Sequence, residues 1–133
     1  MLANVQTAPS NIDISLALPV VFNILDKWQC SAADQMTLLG VNSRTTLAKY
    51  RKAKTGGITL SADLAERMSY ILHIHKCLRK LFSLEHSVYD WVNKPNQHPF
   101  FNGRSAMNIM KGGKVADLYE VSKHLQGWSG VLS

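Results

Sequence analysis

The segment SAADQMTLLGVNSRTTLAKYRK, residues 31–52, decides the fold. Ser31 is suited to cap a helix, and Asp34 three residues on sets a carboxylate near its positive end. Ala32, Met36 and Leu39 recur at helical spacing as a buried face, and Gly40 stops the helix. Val41 and Asn42 form a turn. Ser43 or Asn42 then caps another helix that runs to about Ala53. Leu47 and Tyr50 face inward in that helix, while Arg44, Thr45, Ala48, Lys49 and Lys52 fall on more exposed sides.

Reading outward gives further helices and no convincing strand, so the fold class is all-α. Residues 1–14, with Pro9, read as a loose tail. Pro19 fits a first helical turn, where its missing N–H costs nothing. Val20, Val21, Ile24, Leu25 and Trp28 follow at helical spacing. On the other side, Gly56 and Gly57 break the chain, and Thr59 or Ser61 starts a long helix with Asp63 in its first turn. Leu64, Met68, Ile71, Leu72, Leu78 and Leu81 carry its apolar pattern to Phe82. At about 1.5 Å per residue this helix spans about 30 Å, a spine between the two halves.

Ser83, followed by Glu85, marks another helix start, with Val88, Trp91 and Val92 as its apolar face and Pro95 as its end. Residues 94–103 form a loop that Phe100 and Phe101 anchor. Ser105 caps a short helix over 106–110, and Lys111, Gly112 and Gly113 turn the chain. A last helix over 115–126 packs through Val115, Leu118, Tyr119, Val121 and Leu125. Residues 127–133 read as a flexible tail bearing Trp128, which either folds back on its own domain or fills a pocket on a partner. The resulting division is an N-terminal tail over 1–15, a first unit over 16–58 and a second helical unit over 59–133.

Charge narrows the reading. The chain carries 15 basic and 9 acidic residues, for a net charge of +6. Between Gly40 and Ile58 stand Arg44, Lys49, Arg51, Lys52 and Lys54 with no acid. Two short helices around a glycine turn, the second basic and rich in hydroxyls, form a candidate helix-turn-helix. In that arrangement the second helix enters the major groove of DNA. Arg44 and Thr45, at the helix start, suit base reading, and Ser43 suits a phosphate or base edge. Lys49, Arg51, Lys52 and Lys54 suit phosphate neutralisation. A solvated helical hairpin is the competing account. Leu47 lies seven residues after Gly40, one later than in common helix-turn-helix units, which implies a longer turn or a rotated helix.

Other classes find less support. A composition of 46% hydrophobic and 18% charged residues argues against intrinsic disorder away from the ends. Cys30 and Cys77 make no disulfide framework, and Cys77 reads as a core residue. Neither a secretory signal nor eighteen consecutive apolar residues is visible, so the expected address is the cytoplasm, with no membrane. His73 and His75 point to different helix faces. His73 and Cys77 have ligand spacing, yet nothing completes a metal site. Gly112-Gly113-Lys114 lacks the rest of a phosphate-loop pattern. His86, His98 and His124 read as surface or loop histidines. The expectation is no enzyme, no cofactor and no metal.

Ordered motifs carry a resemblance over about residues 20–130. They are Leu60-Ser61-Ala62-Asp63 through Leu78-Arg79-Lys80-Leu81-Phe82, Trp91-Val92-Asn93-Lys94-Pro95-Asn96, Phe101-Asn102-Gly103-Arg104-Ser105-Ala106, Gly113, and Asp117-Leu118-Tyr119-Glu120-Val121. This series resembles the Xre/MbcA/ParS antitoxin family. The resemblance implies an Xre-like helix-turn-helix bundle joined by a long helix to a small toxin-binding domain. It also implies a RES-domain toxin as partner, one that acts on NAD, together with double-stranded operator DNA and a homodimer within a larger toxin-antitoxin complex. Carried onto this chain, Gly127, Trp128, Ser129 and Gly130 form the blocking tail, and Phe101, Gly103 and Arg104 shape the toxin-binding domain or its edge. The chain departs from the family at Ser122 or Lys123, where many members have arginine, and at Trp128-Ser129-Gly130, where an arginine-glycine-glycine ending is usual. A stand-alone regulator without a toxin is the alternative.

Overall fold

The computed structural model describes residues 13–54 and 56–131. Among them are seven α-helices and no strand: α1 Leu18–Lys27, α2 Ala32–Leu39, α3 Arg44–Lys52, α4 Ala62–Leu81, α5 Glu85–Asp90, α6 Ala106–Met110 and α7 Val115–Ser129. The all-α expectation holds.

Local chemistry sets the boundaries. The Ser31, Ser43, Ser61 and Ser105 hydroxyls accept the amides of Asp34, Thr46, Leu64 and Asn108, which closes the starts of α2, α3, α4 and α6. Ser43 rather than Asn42, and Ser61 rather than Thr59, therefore hold the caps. The expected start at Ser83 is displaced. Leu84 is the residue before α5 and makes no side-chain cap, and Glu85 lies in the first turn. Pro19 lies in the first turn of α1.

The expected N-terminal tail is ordered at its inner end. A 3-10 turn over Ile14–Ala17 precedes α1. Asp13 accepts the Ser15 amide at 3.0 Å, the Ser15 hydroxyl at 2.6 Å and the Gly57 amide at 2.7 Å. Residues 1–12, the rest of that tail, lie outside the described residues.

A single hydrophobic cluster runs through the described residues. It joins Leu25, Trp28 and Leu39 from the first helices to Met68, Ile71 and Leu78 of α4 and to Val92, Leu118 and Leu125 beyond it. Each such side chain stabilises the fold by roughly 1.5–3 kcal/mol through burial. Spine α4 packs most extensively on α7 and also touches α1, α2 and α5. No helix among the described residues is long and apolar enough to cross a membrane.

The last helix corrects the sequence reading. α7 does not stop at Gln126 but continues through Gly127 and Trp128 to Ser129. Gly130, at φ 74°, ends it and returns its amide to the Gln126 carbonyl at 2.9 Å. A helical glycine costs about 1 kcal/mol relative to alanine, and the packing of Trp128 described below offsets that cost. His73 Nε2 lies 3.4 Å from the Val131 carbonyl, so the chain just after the helix returns to α4. Tyr119, expected to pack inward, is 43% exposed and meets the edge of Tyr70. The buried stripe of α7 is Leu118, Val121, Ser122 and Leu125, one helical step away from Tyr119.

Candidate nucleic-acid interface and partner-binding surface

α3 presents a basic face. At 100° per residue, Arg44, Thr45, Ala48, Lys49 and Lys52 fall within an arc of about 140°. All five are exposed. Leu47, on the opposite side, is buried and joins the core with Tyr50 beside it. Among the described residues no ion pair engages Arg44, Lys49, Lys52 or Lys54. Lys54 lies exposed beyond the end of the helix. The Ser43 hydroxyl is committed to its cap, since it accepts the Thr46 amide and donates to Thr46 Oγ1 at 2.8 Å.

Arg51, expected with the phosphate-facing cations, turns to the neighbouring helices and makes its bonds there. Its guanidinium donates to Asp26 Oδ2 at 2.9 Å and to Gln35 Oε1 at 2.9 Å, and it lies over the Phe22 ring at 4.8 Å. Gln35 in turn donates to Asp26 Oδ1 at 2.9 Å and to the Cys30 carbonyl at 3.2 Å. This network ties α3 to α1 and α2 and so sets the angle of the basic helix. The Arg51 hydrogen bond holds the Asp26 carboxyl below its usual range, against the opposing effect of burial.

Arg67, on α4, secures the turn before α3. Its side chain is 9% exposed and pairs with Asp63 at 2.9 Å. It also donates to the carbonyls of Thr37 at 3.3 Å, Leu38 at 3.4 Å and Gly113 at 3.0 Å. Gly40 adopts φ 68°, and a Cβ there would stand 2.9 Å from Arg67 Nε, so both backbone and space require glycine. A cleft of about 490 Å³ opens beside this turn. α2 and residues 40–42 line it, together with Arg44 and Gly113.

The far end of α7 is aromatic. Phe101 is fully buried, and its ring lies 5.7 Å from Trp91 and 6.0 Å from Trp128. His98 approaches Trp128 at 5.2 Å, and Phe100 stacks on His124 at 3.8 Å. Arg104 pins the loop by donating to the carbonyls of Phe101 at 3.1 Å and Phe100 at 3.3 Å. Gly103, at φ 83°, closes the loop with its amide on the Asn96 carbonyl at 2.8 Å. Trp128 therefore folds back on its own domain, yet it stays 41% exposed. Phe101, Gly103, Arg104 and Trp128 come together here, with Gly127 beside the groove that Tyr70 and Tyr119 line.

Two family models divide the chain between them. Residues 14–73 match the antitoxin Xre-like helix-turn-helix domain, and residues 77–130 match the antitoxin Xre/MbcA/ParS C-terminal toxin-binding domain. The chain belongs to the Xre/MbcA/ParS antitoxin family.

This antitoxin is 45% identical over 113 residues to a protein of Sinorhizobium fredii (strain NBRC 101917 / NGR234), the uncharacterized protein y4oB. The match covers 85% of this chain and 84% of that protein. No solved structure matches the antitoxin. The join between its two matched segments falls inside α4, between residues 73 and 77, whereas composition places a break at residue 58.

Sequence reasoning missed Arg67, His98 and His124. His124 was within reach, because it precedes Trp128 by four residues and shares its helix face once α7 is carried past Gly127. Arg67 pairs locally with Asp63, but its bonds to the Thr37, Leu38 and Gly113 carbonyls, like the approach of His98 to Trp128, join residues distant in sequence. His73 and Cys77 do meet, with the thiol 3.7 Å from His73 Nε2, but as buried neighbours beside Ser122. Among the described residues no group of three or more His, Cys, Asp or Glu gathers to hold a metal.

Proposed function

We propose that this antitoxin neutralises a RES-domain, NAD-consuming toxin by direct contact and represses its own operon. The observation that carries this is the placing of two different surfaces on one shared hydrophobic core. α3 offers unpaired cations, and the end of α7 offers a half-exposed tryptophan in an aromatic setting. In this reading α3 enters the major groove of double-stranded operator DNA. Arg44 and Thr45 read bases, Lys49, Lys52 and Lys54 meet phosphates, and Ser43 and Arg51 fix the helix. The toxin covers Phe101, Gly103, Arg104 and the end of α7 from Gly127 through Trp128 and Ser129 to Gly130. The protein works in the cytoplasm by binding, without catalysis or cofactor, as a homodimer within the toxin-antitoxin complex. Residues 16–58 supply the DNA-binding unit, and residues 59–133 supply the toxin-binding and dimerising unit.

Co-expression with the product of the adjacent gene tests the pairing. The neighbour should be toxic alone, harmless together with this protein, and should co-purify with it. Deleting residues 127–133 should weaken neutralisation and leave DNA binding largely intact. Arg44→Ala should weaken operator binding by roughly 1–3 kcal/mol, the value of a bidentate contact to guanine. A harmless neighbour that does not co-purify would remove the toxin half of the proposal.

A further inference from the structure

The basic turn of the toxin-binding half lies against the helix-turn-helix. Lys111-Gly112-Gly113-Lys114 connects α6 to α7. The Gly113 carbonyl and the Thr37 carbonyl of α2 receive the same Arg67 guanidinium, at 3.0 Å and 3.3 Å. Lys111 Nζ lies 3.3 Å from Asp34 in the first turn of α2. Gly113 and Arg44 both line the cleft of about 490 Å³. When a helix-turn-helix docks on DNA, the helix before the reading helix crosses the phosphate backbone. That helix here is α2, and the turn is fastened to it.

We infer that this turn is a second DNA-contacting element, in which Lys114 meets a phosphate that flanks the segment read by α3. The inference rests on the DNA-binding reading above and extends it into the other half of the chain. Lys114 is exposed and makes no ion pair among the described residues. Of the neighbouring acids, Asp34 is paired with Lys111 and Asp63 with Arg67, while Asp117 keeps its charge and accepts the Lys114 amide at 3.1 Å. The backbone that carries Lys114 is fixed before DNA arrives, since Gly113 adopts φ 88° and its carbonyl is held by a buried arginine. Lys111, paired with Asp34, supports the turn and adds little net charge. Duplex DNA presents a charge about every 1.7 Å of its axis, so a cation beside the reading helix finds a phosphate without needing a particular base.

The test is salt-dependent binding of the full chain. The probes are the duplex immediately upstream of its own coding sequence and a duplex of random sequence. Each neutralised phosphate contributes about −0.9 to the slope of log affinity against log salt. Lys114→Gln should make that slope shallower by about 0.9 for both duplexes and should lower affinity roughly fivefold to tenfold near 0.1 M salt. Lys114→Arg should restore both, with thermal unfolding unchanged in either variant. If Arg44→Ala weakens binding while Lys114→Gln changes neither affinity nor slope, the turn is no DNA contact and the helix-turn-helix reading stands. If the unaltered protein binds neither duplex, both readings fall together.

Discussion

Arg51 and Asp26 lie 25 residues apart in sequence and 2.9 Å apart in space. The pair has a pH signature. Because the Arg51 hydrogen bond lowers the Asp26 pKa on folding, the folded chain binds fewer protons here than the unfolded chain. The stabilisation is complete above the unfolded carboxyl value of about 3.9 and is lost as pH falls through the lower folded value. Both side chains reach solvent, which limits the contribution to about 1 kcal/mol. Asp26→Asn should therefore flatten the fall in unfolding free energy between about pH 5 and pH 3. An unaltered acid limb in urea titrations would assign that fall to other carboxyls. Cys30 gives a second check. Burial, followed by the nearby Asp34 charge, pushes its thiol up to about 12. The thiol is then protonated at neutral and mildly basic pH, and the native protein should react slowly with iodoacetamide at this position at about pH 8. Fast stoichiometric labelling of Cys30 in the folded chain would contradict that. The sequence separated neither Arg51 from its cationic neighbours nor Cys30 from an ordinary thiol. Residue type and charge are written locally, while the partners that decide their roles come from other helices.

At the scale of elements, caps and apolar periodicity were legible and glycines were ambiguous. The serines before α2, α3, α4 and α6 mark their starts because a hydroxyl at that point accepts an otherwise unpaired amide. Gly40 and Gly130 do end helices, both at positive φ, whereas Gly127 lies inside one. Local sequence cannot tell these cases apart, since Gly127 is held helical by the packing of Trp128 against Trp91 and His98. The difference is measurable. A Cβ at Gly127 meets nothing within 4 Å, so Gly127→Ala should raise stability by about 0.5–1 kcal/mol. Gly130→Ala at φ 74° should lower it by about 1 kcal/mol. If Gly127→Ala left stability unchanged in denaturant melts, residues 127–129 would not be helical in solution. Trp128→Ala should cost about 1–2 kcal/mol, because its ring contacts are real but partly wet.

Over the whole molecule, the DNA-facing helix and the aromatic end share one spine. α4 belongs to both matched segments, and one apolar cluster extends across them. Unfolding should therefore be a single transition, with equal calorimetric and van't Hoff enthalpies. A chain cut at residue 58 should not fold, because α1 and α2 would lose the helix that covers them. Replacing Arg67 by Met should cost roughly 2–4 kcal/mol, since it strands a buried carbonyl at Leu38 and part-buried ones at Thr37 and Gly113, on both sides of the join. Two separate melting steps would overturn this picture. The sequence suggested a break at 58 because Gly56 and Gly57 interrupt the pattern there, but shared burial is a property of contacts that no short window contains.

The buried Arg67 also has a meaning for heredity. A crossover that joined the front of one relative to the back of another would have to leave a guanidinium, a bare Gly40 above it and a correctly aimed Gly113 carbonyl in the same daughter protein. A hybrid whose turn at 113 were shaped differently would leave that guanidinium short of one acceptor, so the two halves of such a protein are matched through this contact.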